Sequence, residues 1–88
     1  MPKKQSHPGR LLLQMLTKRG ISLRQLAAHI GIAPGVLSRV CNGHRRISAE
    51  IARKLSVALG TTPQFWLNLQ SSYDLANTSK PRFGRIPA

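Results

Sequence analysis

The feature that most constrains the fold is a pair of short amphipathic segments, separated by a glycine, between residues 23 and 42. In the first segment apolar residues recur at i, i+3, i+4 and i+7, which is one stripe of an α-helix. They are Leu23, Leu26, Ala27 and Ile30. Gly31 then permits a sharp turn because glycine reaches positive φ easily, and Pro34 suits the first turn of a second helix. The buried stripe predicted for that helix is Leu37, Val40 and Cys41.

This spacing is typical of a helix-turn-helix, in which two helices meet at a steep angle through one tight crossing. The crossing needs a small residue, which Ala27 supplies, and a turn residue four places later, which Gly31 supplies. An ordinary pair of packed helices would use the same residues, so spacing alone leaves both interpretations open.

The charge of the chain favours nucleic acid as the partner. Fourteen Lys and Arg residues stand against two acidic residues, Glu50 and Asp74, so the formal net charge is +12 in 88 residues. Such a surface repels itself and favours a polyanion. An anionic membrane surface is the rival partner, but it favours one long basic amphipathic helix, and here the cations are spread over several short segments. No run of about 18 apolar residues exists, so no membrane span is predicted.

Cap and turn signals predict an all-α fold of five helices without strands. The start signals are Pro8, Ser22, Pro34, Ser48 and Thr62, and the stop signals are Gly20, Gly31, Gly60 and the fading apolar stripe near Asn77. The length fits one small domain. We predict a flexible basic arm over residues 1–7, a helix-turn-helix domain over 8–77 and a loose basic tail over 78–88.

The residues that would meet DNA follow from the motif, whose second helix lies in the major groove. Its outward residues here are Pro34, Gly35, Val36, Ser38 and Arg39. Arg39 is the best candidate base reader because a guanidinium can hold O6 and N7 of guanine together, although the same side chain can bind phosphate instead. The other predicted contacts are Ser22 and Arg24 before this helix, and Asn42, His44, Arg45 and Arg46 after it. For each single cation, a solvated position is the alternative.

Three stretches of the chain resemble the HigA-like antitoxins, within the lambda-repressor-like (Xre-type) regulators. They are His7-Pro8-Gly9 with the leucines and Gly20-Ile21-Ser22 that follow, the segment LAAHIGIAPGVLSRVCNGHRRIS, and FWLNLQ with YDL, which is the most specific. The resemblance covers residues 7–76 and implies a five-helix lambda-repressor-like domain. It further implies a bacterial cytoplasmic homodimer that binds a palindromic operator, represses its own operon and blocks a HigB-type toxin, an mRNA-cleaving ribonuclease.

The chain departs from the family pattern at the DNA contacts and in its charge. Family members often carry glutamine at the position of Leu23, and polar or basic residues where Gly35 and Val36 stand. The toxins of the family tend to be basic and the antitoxins often present acidic residues to them, whereas this chain has only two. The operator sequence therefore stays open, and a solo regulator without a toxin is the alternative function.

The fifth helix supports another alternative, an interaction module that acts on a protein or RNA partner. Aromatic anchors are the residues that interfaces favour. The predicted dimer interface is Phe65, Trp66, Leu69 and Tyr73. For Trp66, packing in the core is the competing interpretation, whereas Tyr73 lies nearer the helix end and suits a dimer seam better.

The sequence contains no recognisable catalytic or metal-binding pattern. His7, His29 and His44 have no Cys or carboxylate at ligand spacing. Cys41 has no neighbouring general base, and a single cysteine suits a reducing cytoplasm. We therefore predict a protein that is not an enzyme and that holds no metal or cofactor.

Overall fold

The computed structural model describes residues 6–87. Its regular elements in that range are α1 (Pro8–Arg19), α2 (Leu23–Ile30), α3 (Pro34–Cys41), α4 (Ala49–Leu59) and α5 (Pro63–Ala76). The predicted all-α fold of five helices is confirmed. Residues 1–5, which make up most of the predicted basic arm, and Ala88 lie outside the described residues.

The helix ends follow from local caps that the sequence carries. Ser22 Oγ accepts a hydrogen bond from the Gln25 N–H at 3.1 Å, and Gln25 Oε1 accepts one from the Ser22 N–H at 2.7 Å, so α2 begins with a capping box. The hydroxyls of Ser48 and Thr62 cap α4 and α5. Gly31 has φ 70°, the left-handed conformation that ends α2 and turns the chain toward α3.

All five helices and the α3–α4 loop contribute side chains to one apolar core. Its buried members are Leu12, Leu16, Leu26, Ala27, Leu37, Val40, Ile47, Ile51, Ala52, Leu55, Leu59 and Trp66. Trp66 is the largest of them, and its indole N–H donates to Thr61 Oγ1 at 2.7 Å. Full burial of a large apolar side chain is worth roughly 1.5–3 kcal/mol, so this cluster dominates the stability of the domain.

The first turn of α1 packs directly on α3. A Cβ atom on Gly9 would lie 1.8 Å from the carbonyl oxygen of Val40, so only glycine fits between the two backbones. His7 belongs to this packing rather than to a flexible arm, which corrects the predicted arm boundary. Its Nδ1 accepts a hydrogen bond from the Gly9 N–H at 3.0 Å, and its ring meets Tyr73 edge-on at a centroid distance of 4.9 Å.

The segment after α5 has no regular structure in residues 78–87. Phe83 and Ile86 are exposed there, so neither docks on the domain. The last helix thus ends one residue before Asn77, where its apolar stripe fades in the sequence. None of α1 to α5 is long and apolar enough to cross a membrane.

Candidate nucleic-acid interface

The exposed part of α3 carries the residues predicted to read DNA. Leu37 and Val40 are completely buried and hold the helix on the core. Pro34, Gly35 and Arg39 are exposed, whereas Val36 and Ser38 are partly buried. Arg39 therefore points outward, as the helical period around Leu37 and Val40 predicts.

The start of α2 lies beside the turn and presents polar groups. Ser22 and Arg24 are exposed. Leu23, between them, is partly buried and packs against the core. This packing explains how the chain uses an apolar residue where family members often carry glutamine.

The α3–α4 loop, residues 42–48, extends the surface beyond the end of α3. The His44 N–H donates to the carbonyl oxygen of Arg39 at 2.8 Å, and Asn42 Nδ2 donates to Ser38 Oγ at 3.4 Å. Gly43 takes the turn with φ 78°. All four predicted contacts on this loop are exposed: Asn42, His44, Arg45 and Arg46. We call the start of α2, the outward residues of α3 and residues 42–46 the candidate DNA surface.

Arg46 differs from its neighbours because it pairs with a carboxylate on α5. Its Nη1 donates to Asp74 Oδ2, and this hydrogen bond holds the pKa of Asp74 below its ordinary value. Asp74 Oδ1 also accepts from Gln70 Nε2 at 3.1 Å, and Gln70 Oε1 accepts from the Ile47 N–H at 2.8 Å. A continuous chain of hydrogen bonds therefore ties the α3–α4 loop to α5.

Sequence reasoning did not find this chain of contacts. The sequence offers only a weak indication of these contacts. Gln70 and Asp74 stand four residues apart, a spacing that places them on one helix face, within the motif that carries the family resemblance. Nothing in the spacing says that a loop more than twenty residues earlier meets that face.

The ion pairs leave most of the candidate DNA surface without acidic neighbours. Among the described residues, the two ion pairs join Arg46 to Asp74 and Lys54 Nζ to Glu50 at 3.5 Å. Within that part of the chain, Arg24, Arg39 and Arg45 have no acidic partner. These three guanidinium groups are therefore available to phosphates or base edges.

The predicted dimer interface on α5 needs one correction. Trp66 is completely buried in the core, so its side chain cannot contact a partner. The helix turns by about 100° per residue, which points Trp66 inward while its neighbour Phe65 remains 39% exposed. Leu69 and Tyr73 are partly exposed. Phe65, Leu69 and Tyr73 thus remain the predicted interface.

The described residues do not contain a group of three His, Cys, Asp or Glu side chains that could hold a metal ion. Cys41 is partly buried, and burial raises the pKa of its thiol. The thiol is therefore less ionised at neutral pH than an exposed one.

Comparison with known proteins identifies the class to which this geometry belongs. Residues 12–66 match the family model described as Helix-turn-helix. Over 73 residues the chain is 41% identical to the HTH-type transcriptional regulator YddM of Escherichia coli K12, with 83% of this chain and 78% of YddM covered. The chain belongs to the helix-turn-helix family of transcriptional regulators.

Solved structures place the chain within a narrower group of that family. A HigA-family antidote protein from Coxiella burnetii superposes with a TM-score of 0.78 at 39% identity, over 84% of this chain and 82% of that one. The Pseudomonas aeruginosa antitoxin HigA, solved with the higBA promoter, gives a TM-score of 0.79 at 36% identity, over 82% and 79%. The resemblance to HigA-like antitoxins is confirmed. This group consists of DNA-binding regulators and antitoxins and is not an enzyme family.

Proposed function

We propose that this chain is a sequence-specific DNA-binding repressor and a HigA-type antitoxin. It acts as a homodimer on a palindromic operator in its own promoter, in the cytoplasm, and it neutralises a HigB-type ribonuclease toxin. It works by binding and not by catalysis. The observation that carries the proposal is the exposed Arg39 on α3, a helix that buried Leu37 and Val40 fix rigidly on the core.

The residues of the candidate DNA surface take three roles in this proposal. Arg39 reads a guanine or grips a phosphate, Ser38 bonds either group, and Val36 offers a methyl surface to thymine. Ser22 and Arg24 contact the backbone on one side of the groove. The backbone contacts on the other side are Asn42, His44, Arg45 and Arg46.

Shape readout has a large share in the specificity of this reading helix. Pro34 and Gly35 are exposed at its start but have no side-chain hydrogen bonds to give. They instead let the α3 backbone approach the bases closely. Sequence preference therefore depends on DNA deformability as well as on Arg39.

The dimer places two copies of α3 in successive major grooves. A helix-turn-helix dimer reads half-sites about 34–36 Å apart, one turn of DNA. Phe65, Leu69 and Tyr73 supply a partly exposed apolar and aromatic face on α5 for this contact.

Binding to the chain's own promoter tests the repressor role. We expect the promoter fragment to bind at least about a thousandfold more tightly than a shuffled fragment of equal length. The logarithm of the affinity should fall with the logarithm of salt concentration by about 0.9 per phosphate contacted. Equal affinity for the two fragments would reject sequence-specific repression.

Replacing the reading arginine tests the assignment of residues. Arg39→Ala should weaken promoter binding by about 1–3 kcal/mol and reduce the preference over shuffled DNA. The matched control is Arg53→Ala, because Arg53 is an exposed arginine on α4 outside the candidate DNA surface. If Arg39→Ala weakens both fragments equally, Arg39 binds a phosphate instead of a base.

The antitoxin role is tested by co-expression with the product of the neighbouring reading frame. We expect a small ribonuclease whose growth arrest this chain relieves and which co-purifies with it. The charge of +12 means that the toxin either presents acidic groups or makes a mainly apolar contact.

Promoter binding without any toxin in the operon would favour the alternative, a solo Xre-type regulator. Dimerisation and partner capture without promoter preference would favour an interaction module.

A further inference from the structure

The proposed DNA contacts do not explain the purpose of the hydrogen bonds that join α5 to the α3–α4 loop. We propose that Gln70 and Asp74 are positioning residues of the candidate DNA surface: Gln70 fixes the loop, and Asp74 holds Arg46 and offsets its charge. This inference rests on the proposed function, because it concerns how the same surface grips DNA.

Gln70 anchors the end of the loop from inside the domain. The residue is 2% exposed, and its amide uses both ends, accepting from the Ile47 N–H at 2.8 Å and donating to Asp74 Oδ1 at 3.1 Å. Ile47 is 1% exposed, so its N–H is shielded from bulk water that could replace the bond. A buried N–H without a partner is unfavourable, so the bond to Gln70 keeps the end of the loop in this one place.

Asp74 acts on the exposed part of the loop. The Arg46 side chain is 68% exposed and that of Asp74 33%, and an ion pair with this exposure adds little to stability. The pair instead fixes the orientation of the Arg46 side chain and offsets its positive charge. One of only two acidic residues in a chain of +12 lies on a cation of the candidate DNA surface. Arg46 is therefore held in one orientation and is weaker than a free arginine as a non-specific phosphate contact.

The opposite side of the loop is supported by the start of α1. The His7 ring packs edge-on against Tyr73, the residue before Asp74 on α5. His7 also lies beside the loop, since a Cβ atom added to Gly43 would come within 3.6 Å of His7 Cβ. The loop is thus enclosed between α1 and α5, and α5 is the helix that carries the predicted dimer residues.

The test neutralises each of the two acidic residues in turn. Asp74→Asn keeps an acceptor for Gln70 but releases Arg46. We expect shuffled DNA to bind this variant more tightly, with a salt slope steeper by about 0.9 per protomer, one extra phosphate contact. The preference for the promoter fragment should fall about fivefold or more, the lower end of typical coupling between sites.

Glu50→Gln is the matched control, since it makes the same change in net charge. Glu50 pairs with Lys54 within α4 and takes no part in the hydrogen-bond chain that ends at Asp74. This variant should keep the wild-type salt slope and promoter preference. Asp74→Glu, which restores the carboxylate, should recover most of the preference lost in Asp74→Asn.

A measurement without DNA keeps the inference separate from the proposed function. In the free protein, NMR hydrogen exchange at the amide of Ile47 should be faster in Gln70→Met, which keeps the side-chain size but removes the acceptor, than in wild type. Asp74→Asn keeps the acceptor for Gln70 and should leave this exchange rate, and those of the α4 amides, unchanged. The positioning role would be overturned if Ile47 exchanges at the wild-type rate in Gln70→Met and if the salt slope and promoter preference of Asp74→Asn match those of Glu50→Gln. If wild type binds both DNA fragments equally, the proposed function fails, and the exchange rate at Ile47 alone decides the positioning.

Discussion

Gly9 is the residue at which the position of the reading helix is most narrowly fixed. The atoms that a side chain would meet there are the Val40 carbonyl oxygen at 1.8 Å and Cys41 Cα at 2.9 Å. Both are backbone atoms that cannot rotate away. Because Val40 and Cys41 end α3, a change at Gly9 moves the helix that carries Arg39.

Gly9→Ala should therefore destabilise the domain by about 1–3 kcal/mol, the usual cost of overpacking. The measurement is the urea midpoint of unfolding. Gly35→Ala is the control, because Gly35 is also helical but a Cβ atom added there would meet no neighbouring element within 4 Å, so alanine should be neutral or slightly stabilising. A Gly9→Ala midpoint equal to that of wild type would mean that α1 and α3 separate without loss.

His7 should make the stability depend on pH. Its Nδ1 must be unprotonated to accept the Gly9 N–H, and burial lowers the pKa of the ring; Asp74 opposes this shift and Arg46 reinforces it. Since the folded pKa lies below the unfolded one, the stabilisation is complete above the unfolded pKa, about 6.5, and is lost as the pH falls through the folded value.

The check is the free energy of unfolding measured between neutral and mildly acidic pH. It should decrease on acidification in wild type. His7→Asn keeps a good N-cap residue without a titrating ring, so its curve should be flatter in this range. An equally steep curve in His7→Asn would assign the pH dependence to another group.

The helices themselves were predictable from the sequence because the signals that start and stop them are local. Ser22 with Gln25, Ser48 and Thr62 act within three residues of their own position, and Gly31 sets a turn by its own φ. The outward position of Arg39 followed from the helical period around Leu37 and Val40. These predictions needed no knowledge of which helices meet.

The contacts that the sequence did not reveal all join elements that are distant in the chain. Gln70 reaches Ile47 across 23 residues, and Arg46 reaches Asp74 across 28. Trp66 faces the core because of how α5 lies on its neighbours, which the apolar period of α5 alone does not determine. The cap at His7 was missed because histidine is not among the preferred N-cap residues.

The capping box of α2 should have two separable effects. Ser22→Ala should cost about 0.5–2 kcal/mol of stability through the lost cap. It should also weaken promoter binding, because a hydroxyl proposed to meet phosphate is removed. Thr62→Ala, which removes the equivalent cap from α5, is the control: we expect a similar loss in thermal unfolding with unchanged DNA affinity. Equal losses of affinity in both variants would show that Ser22 acts only through stability.

At the scale of the whole molecule, the charge of +12 should make salt act in opposite directions on the free chain and on its DNA complex. Raising the salt concentration screens self-repulsion within a Debye length of about 10 Å at 0.1 M, so the melting temperature of the free chain should rise. The same change should weaken the complex through counterion competition. Calorimetry of the chain with and without promoter DNA measures both trends. A melting temperature of the free chain that falls with salt would show that attractive ion pairs outweigh the repulsion.

The dimer determines whether the reading surfaces act together or singly. Two linked reading helices bind the second half-site at a high effective concentration, so loss of the dimer should weaken the full operator far more than an isolated half-site. Phe65→Ala and Tyr73→Ala should shift analytical ultracentrifugation profiles toward monomer. Leu75→Ala is the matched control, because Leu75 is a 77% exposed leucine on the same helix outside the predicted interface. A dimer that survives both substitutions, or dissociates only in Leu75→Ala, would place the seam elsewhere on the molecule and leave the Phe65–Tyr73 face free for another partner.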